Sequence, residues 1–153
     1  MASTDSRLHL ERSLKLTQCI RVLLVDDYSP FRDYLRGILK EMPAIEVVGE
    51  ASDGMEAVEK ARELNPDLIL LDIALPEMNG VEVVCRLKRH LSDAIILIVT
   101  GIYSWVMMKH AFLCGADGYL VKSDAAGELA SGVESVLQGT RFISSTAVKY
   151  ILD

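Results

Sequence analysis

The sequence has too little basic charge to hold a polyanion. Lys and Arg number 16 against 22 Asp and Glu, for a formal net charge of -6. Affinity for a phosphate backbone needs clustered Lys and Arg, so these 153 residues are not expected to bind nucleic acid directly. Long apolar runs are missing too. No uncharged stretch approaches the ~18 residues of a membrane span. Met1 to Gln18 scatters charges among single leucines and lacks the apolar block of a signal peptide, so a cytoplasmic location is expected. Cysteine is scarce and unpatterned. Cys19, Cys85 and Cys114 are odd in number and widely spaced, with no CxxC or Cys/His cluster. A cysteine-based metal site is excluded, and the three thiols read as small hydrophobes of the interior. Internal repeats and low-complexity tracts are also absent.

What is present is an ordinary globular composition, half hydrophobic and one quarter charged, at a length suited to one domain. Short aliphatic runs alternate with helical patterns. The runs are Ile20 to Val25, Ile45 to Val48, Leu68 to Leu71, Ile95 to Val99 and Tyr119 to Val121. Rich in Val, Ile and Leu, they suit parallel strands buried on both faces.

Between them lie five amphipathic stripes. Ser29-Pro30 reads as an N-cap with proline at the first helical position, followed by Phe31, Leu35, Ile38, Leu39 and Met42. Asp53-Gly54 precedes Met55, Val58, Ala61 and Leu64. Val81, Val84 and Leu87 form the third stripe, and Met108, Ala111, Phe112 and Gly115 the fourth. Leu129, Val133, Val136 and Leu137 form the fifth. Five strands alternating with five helices predict a doubly wound α/β domain with a five-stranded parallel sheet.

Ligands of open α/β sheets bind beyond the carboxyl ends of the strands, so the residues following each run carry the functional argument. Asp26 and Asp27 follow the first, Asp72 the third, Thr100 the fourth and Lys122 the fifth. Taken singly, an Asp at a strand end usually caps a helix, and a lone Lys or Thr there is usually structural. Jointly, all five fall on one sheet edge in compatible order. Three clustered carboxylates repel one another unless a cation joins them. Mg²⁺ suits such a site, since it accepts one or two carboxylates together with a phosphate. Lys122 supplies a compact positive charge and Thr100 a hydroxyl donor. A carboxylate can act as a nucleophile toward phosphorus, so the set is complete for forming an aspartyl phosphate.

Three strings bring a family into view. Val22-Leu23-Leu24-Val25-Asp26-Asp27, Leu70-Leu71-Asp72 with Pro76, Asn79 and Gly80, and Gly115-Ala116-Asp117-Gly118-Tyr119-Leu120-Val121-Lys122 resemble the receiver domains of bacterial response regulators. The last string, with Gly139-Thr140-Arg141-Phe142-Ile143-Ser144 after the fifth helix, resembles the NarL/FixJ subfamily. The resemblance implies a flavodoxin-like, CheY-like fold over 20–143, with 1–19 an extension and 144–153 the start of a C-terminal helix or linker.

It also implies roles. Asp72 would be the phosphoacceptor, with Thr100 and Lys122 as its catalytic partners. Mg²⁺ would be held by Asp27 directly, by Asp26 chiefly through water, by Asp72 and by the carbonyl of Ala74. Thr100 and Tyr119 would change together as the switch. A sensor histidine kinase or phosphotransfer protein would be the partner, and a phosphorylation-dependent homodimer is a further expectation.

Two departures stand out. Ser123 follows Lys122 where many receivers have proline, leaving the peptide geometry there open. The sequence also stops at Asp153, where NarL/FixJ regulators continue to a helix-turn-helix domain; Ser145 to Leu152 reads as the first turns of a linker helix. Two rivals remain. A haloacid-dehalogenase-type phosphatase would carry Asp-x-Asp after its first strand, whereas Asp26-Asp27-Tyr28 stands here. A degenerate receiver would bind partners without phosphorylation. Finally, Tyr103, Val106 and Met107 fall off the fourth stripe and are expected to form an exposed apolar patch beside Tyr119, with Trp105 partly buried at its edge.

Overall fold

The computed structural model of the chain describes residues 5–7 and 19–152. The expected extension over 1–19 therefore lies almost wholly outside the described residues. The strands are β1 (Ile20–Val25), β2 (Ile45–Ala51), β3 (Leu68–Leu71), β4 (Ile95–Thr100), β5 (Gly118–Val121) and β6 (Phe142–Ile143). The helices are α1 (Ser29–Lys40), α2 (Gly54–Leu64), α3 (Gly80–His90), α4 (Trp105–Leu113), α5 (Ala125–Leu137) and α6 (Ser145–Leu152), with a 3₁₀ turn at Lys122–Asp124.

All strand pairings are parallel, in the order β2-β1-β3-β4-β5-β6. Alternate residues of each strand feed opposite cores, as the two-residue period of a strand requires. Leu23, Val25, Ile69, Leu71, Ile96, Ile98, Tyr119 and Val121 face one core, built with α2, α3, α4 and Ala147 of α6. Val22, Leu24, Leu68, Leu70, Leu97, Val99 and Leu120 face the other, against Leu35 and Leu39 of α1 and Leu129, Val133 and Val136 of α5. This is the doubly wound α/β domain the alternation predicts.

The sixth strand exceeds the expected five, and the sixth helix, beyond the five of the alternation, covers Ser145–Leu152, the segment read as the first turns of a linker helix. Phe142 and Ile143 pair with Gly118 and Tyr119. Two residues are too few to carry a period, so the sequence pattern could not mark them as a strand. Capping also differs in detail. Tyr28, not Ser29, is the N-cap of α1 and makes no side-chain cap bond, while Asp53 caps α2 by accepting from Glu56 N at 2.8 Å. On α2, Met55 is exposed; the buried positions are Gly54, Ala57 and Ala61, small residues that bring the helix close to its neighbours.

The cysteine reading needs correction. Cys85 of α3 and Cys114, the C-cap of α4, are joined as a disulfide, and Cys19 is exposed. The two helices pack side by side on one face of the sheet. That neighbourhood cannot be read from a sequence separation of 29. Peptide bonds are trans throughout the described residues, including the one after Lys122, where Ser123 is the middle residue of the 3₁₀ turn.

Candidate functional site

Strand order reverses between β1 and β3, since β1 leads to β2 on one side and to β3 on the other. A crevice forms beyond the strand ends at such a switch point. Asp26 and Asp27 leave β1 there and Asp72 leaves β3. One carboxylate oxygen from each lies within 4.8 Å of the others. Asp26 and Asp72 are buried, at 1% and 3% exposure, and Asp27 is exposed.

Each oxygen of Asp72 is held. Thr100 Oγ1 donates to Asp72 Oδ1 at 2.7 Å and the Ala74 amide donates to the same oxygen at 2.8 Å. Lys122 Nζ lies 2.9 Å from Asp72 Oδ2 and 2.7 Å from Asp26 Oδ2. The amide of Tyr28 donates to Asp26 Oδ1 at 2.8 Å, whereas Asp26 Oδ2 has no polar partner besides the lysine. Asp26, Asp27, Asp72, Thr100 and Lys122, expected at one edge, are thus brought together, with Ala74 in the same loop.

The electrostatics follow from burial. Loss of water raises the Asp26 carboxyl above its ordinary range, and hydrogen bonding and charge from Lys122 offset this only in part. For Lys122, burial works downward, but its hydrogen bonds to Asp26 and Asp72 and their charges outweigh it and raise the ammonium pKa. One cation shared by buried carboxylates leaves the crevice short of positive charge.

Tyr119 is buried in β5, and its hydroxyl donates to the Ile102 carbonyl at 2.8 Å. Burial, and then the negative charge of Asp72, push its phenol up to about 12. The unfolded phenol loses its proton near ~10, so Tyr119 stabilises the fold fully below that pH and ceases to as pH rises through about 12. Absorbance at 295 nm, wild type minus Tyr119→Phe, is expected to rise near pH 12; a rise near pH ~10 would show an exposed ring.

Sequence reasoning missed three supporting residues. Phe31, in the first turn of α1, places its ring 4.3 Å from Lys122 Nζ, a cation–π contact that adds to the ammonium's two carboxylate partners. Arg32 donates to the Asp26 carbonyl and pairs with Glu50 at 3.0 Å, bracing the loop after β1. Ser144, fully buried, accepts from the Val121 amide at 3.1 Å beside Lys122. Phe31 read as a core residue because its helical stripe was all the sequence offered.

The expected apolar patch is present in part. Tyr103 and Val106 are exposed, at 44% and 57%, but Met107 is partly buried. Trp105, at 53%, is more open than its place at the stripe's edge implies. The Tyr103 ring meets Tyr150 of α6 at 4.7 Å, and these two enclose a small space with Tyr119, Val121 and Ala147.

Comparisons with known proteins agree with this arrangement. Residues 22–134 match the family model of the response regulator receiver domain. The chain is 38% identical over 133 residues to the transcriptional regulatory protein LiaR of Bacillus subtilis, covering 87% of this chain and 63% of that protein. It is 37% identical over 120 residues to the response regulator protein VraR of Staphylococcus aureus, covering 78% of this chain and 57% of the relative. It thus spans less than two thirds of the length of these curated relatives. Among solved structures, a LuxR-family two-component response regulator from Aurantimonas sp. SI85-9A1 superimposes with a TM-score of 0.83 at 33% identity, over 88% of this chain and 96% of that one. With its acidic crevice, its lysine and its flavodoxin-like sheet, the chain belongs to the receiver-domain family of two-component response regulators.

Proposed function

We propose that Asp72 accepts a phosphoryl group from a sensor histidine kinase or phosphotransfer protein, and that Thr100 and Tyr119 transmit its arrival. The observation that carries this reading is Asp72 itself, a buried carboxylate gripped by Thr100, Ala74 and Lys122 at the edge of an acidic crevice. A carboxylate oxygen of Asp72 attacks phosphorus, forming an O–P bond as the P–N bond to the donor imidazole breaks. The bonding pair leaves with the imidazole nitrogen, and the Lys122 ammonium balances charge on the phosphoryl oxygens. To reach one of those oxygens, the Thr100 hydroxyl gives up its bond to Asp72. Tyr119, tied to the next loop through Ile102, is placed to follow that movement.

The donor set fits a hard divalent cation. It is all oxygen, and the buried Asp26 Oδ2 has only Lys122 as a polar partner. Asp26, Asp27 and Asp72 would hold Mg²⁺, with the carbonyl of Ala74 as a further ligand; bound, the ion neutralises charge on the transferring oxygens. Mg²⁺ at tenfold its Kd is expected to stabilise the fold by about 1.4 kcal/mol, or about 4 °C in Tm. Asp27→Ala should lose most of that shift. An equal shift in the variant would place the ion elsewhere.

On this reading the protein is a signalling switch that performs chemistry on itself, working in the cytoplasm where an ATP-charged kinase meets it. No described helix is long and apolar enough to cross a membrane. Residues 20–143 act as the receiver and α6 leads toward a linker. The acidic balance supports a chain that does not itself grip DNA, although its relatives include a transcriptional regulatory protein. Tyr103, Trp105 and Val106 supply the surface for a phosphorylation-dependent homodimer. Acetyl phosphate with and without Mg²⁺ tests the reading. A receiver gains one labile acyl phosphate only with the metal, a phosphatase turns over an added monoester, and a degenerate receiver does neither.

A further inference from the structure

A domain with two apolar cores, one on each face of its sheet, does not need a covalent staple to fold. Disulfides in proteins of a reducing compartment are usually transient, and catalytic or redox-sensing. The Cys85–Cys114 bond has the surroundings of that second kind. Both residues are only partly buried, so small thiols can reach them. The bond joins the middle of α3 to the C-cap of α4, beside the ion pair of Lys88 with Asp117 at 2.9 Å. The covalent ring it closes runs through the second half of α3, β4, Thr100, the following loop and α4. Thr100, the loop after it and α4 lie inside that ring, and Tyr119, outside it, is tied to that loop by its bond to the Ile102 carbonyl.

We propose that Cys85 and Cys114 form a reversible redox modification site whose oxidised form straps α4 to α3 and restrains the Thr100–Tyr119 switch. The reactant is a low-molecular-weight disulfide such as oxidised glutathione. One protein thiolate attacks it, forming a mixed disulfide and releasing one small thiolate. The second protein thiolate then displaces the other small thiol, closing Cys85–Cys114. Two electrons pass from the cysteine pair to the small disulfide, which leaves as two thiols; excess thiol runs the sequence backward. Strapped, α4 keeps its position on α3 and resists the rearrangement that phosphorylation asks of it. Reduced, it answers freely. This rests on the reading of Asp72 for the switch, but not for the strap.

The test uses the full chain carrying Cys19→Ser, which leaves only the pair. In mixtures of oxidised and reduced glutathione, intact mass and alkylation are expected to show both thiols lost together, and a non-reducing peptide map to contain a Cys85–Cys114 link. The reduced form should melt about 10 °C lower, given the length of the closed loop. Amide exchange in α4 should be at least ~10-fold faster when reduced, with no beryllofluoride present. Trp105, the single tryptophan, reports beryllofluoride binding, whose midpoint should be about 3-fold lower in the reduced form. Cys85→Ser should respond identically under both redox conditions. Thiols that stay free or end as two separate glutathione adducts would overturn the site. Equal α4 exchange in the two states would overturn the strap. So would equal beryllofluoride midpoints. Failure of beryllofluoride to bind in either state, with the exchange difference intact, would sink the Asp72 reading and leave the redox strap standing.

Discussion

Asp72→Asn is expected to abolish phosphoryl incorporation. With acetyl phosphate and Mg²⁺, intact mass should show one added phosphoryl group on the wild-type chain and none on the variant. An amide has no carboxylate lone pair to offer phosphorus, and its nitrogen faces a donor wherever it is turned. At Oδ2 that donor is Lys122 at 2.9 Å; at Oδ1 the donors are Thr100 and the Ala74 amide. One of these contacts becomes repulsive in the variant, so loss of chemistry comes with a modest stability change of either sign. A neutral amide also removes one carboxylate from a crowded group, which relieves repulsion. Retained folding with lost incorporation is the expected pair of results. Phosphate on the variant, mapped to another residue, would show that a different nucleophile serves this chain. EDTA should silence the wild type to the same extent.

Gly80→Ala should produce the largest loss of stability from a single methyl group. Gly80 opens α3, directly after Asn79, whose side chain caps the helix by accepting from Val81 N at 2.9 Å. A Cβ at position 80 would lie 2.1 Å from Ile73 Cα and 2.5 Å from the Ile73 carbonyl oxygen. Both are backbone atoms that no rotamer can move away. The Gly80 amide also donates to that carbonyl at 3.2 Å, so the contact brings helix and loop together by design of the chain path. Overpacking of this kind costs about 3 kcal/mol, roughly 10 °C in Tm. Ile73 adjoins Asp72, so slower phosphorylation should accompany the loss. Gly37→Ala is the matched control. A Cβ there meets nothing within 4 Å, and exchanging glycine for alanine inside a helix should stabilise by about 0.5–1 kcal/mol. Equal melting of Gly80→Ala and wild type would mean that the β3–α3 loop yields more readily than its packing indicates.

How much of this was legible in the sequence depended on whether the signal was periodic. β3 and β5 are buried at every position; the unbroken aliphatic run of β3 announced it, and the apolar run Tyr119 to Val121 announced β5. The five polar site residues were legible because each follows such a run, so placing the strands also placed the residues. Phe31 escaped because its contact with Lys122 joins two distant elements, while its own spacing marked only the buried face of α1. The Cys85–Cys114 pairing escaped for the same reason: α3 and α4 are neighbours through the sheet order, and cysteine spacing carries no trace of that. β6 was invisible because it borrows its order from β5 and has no periodicity of its own.

The turn that carries Lys122 is clamped from behind by the residues that begin α6. Ser144 accepts from the Val121 amide, Asp124 accepts from both the amide and the hydroxyl of Thr146, and Glu128 accepts from Ser145. The clamp follows directly on β6, which pairs with β5. A force on α6 would reach the residues flanking the lysine through these bonds, and the loop after Thr100 through the contact of Tyr150 with Tyr103. Mechanical load on the C-terminal helix would then loosen the Lys122 ammonium's hold on Asp26 and Asp72. Conversely, a phosphoryl group that draws Lys122 inward would tighten the root of α6, stiffening one end of the molecule by chemistry done at another.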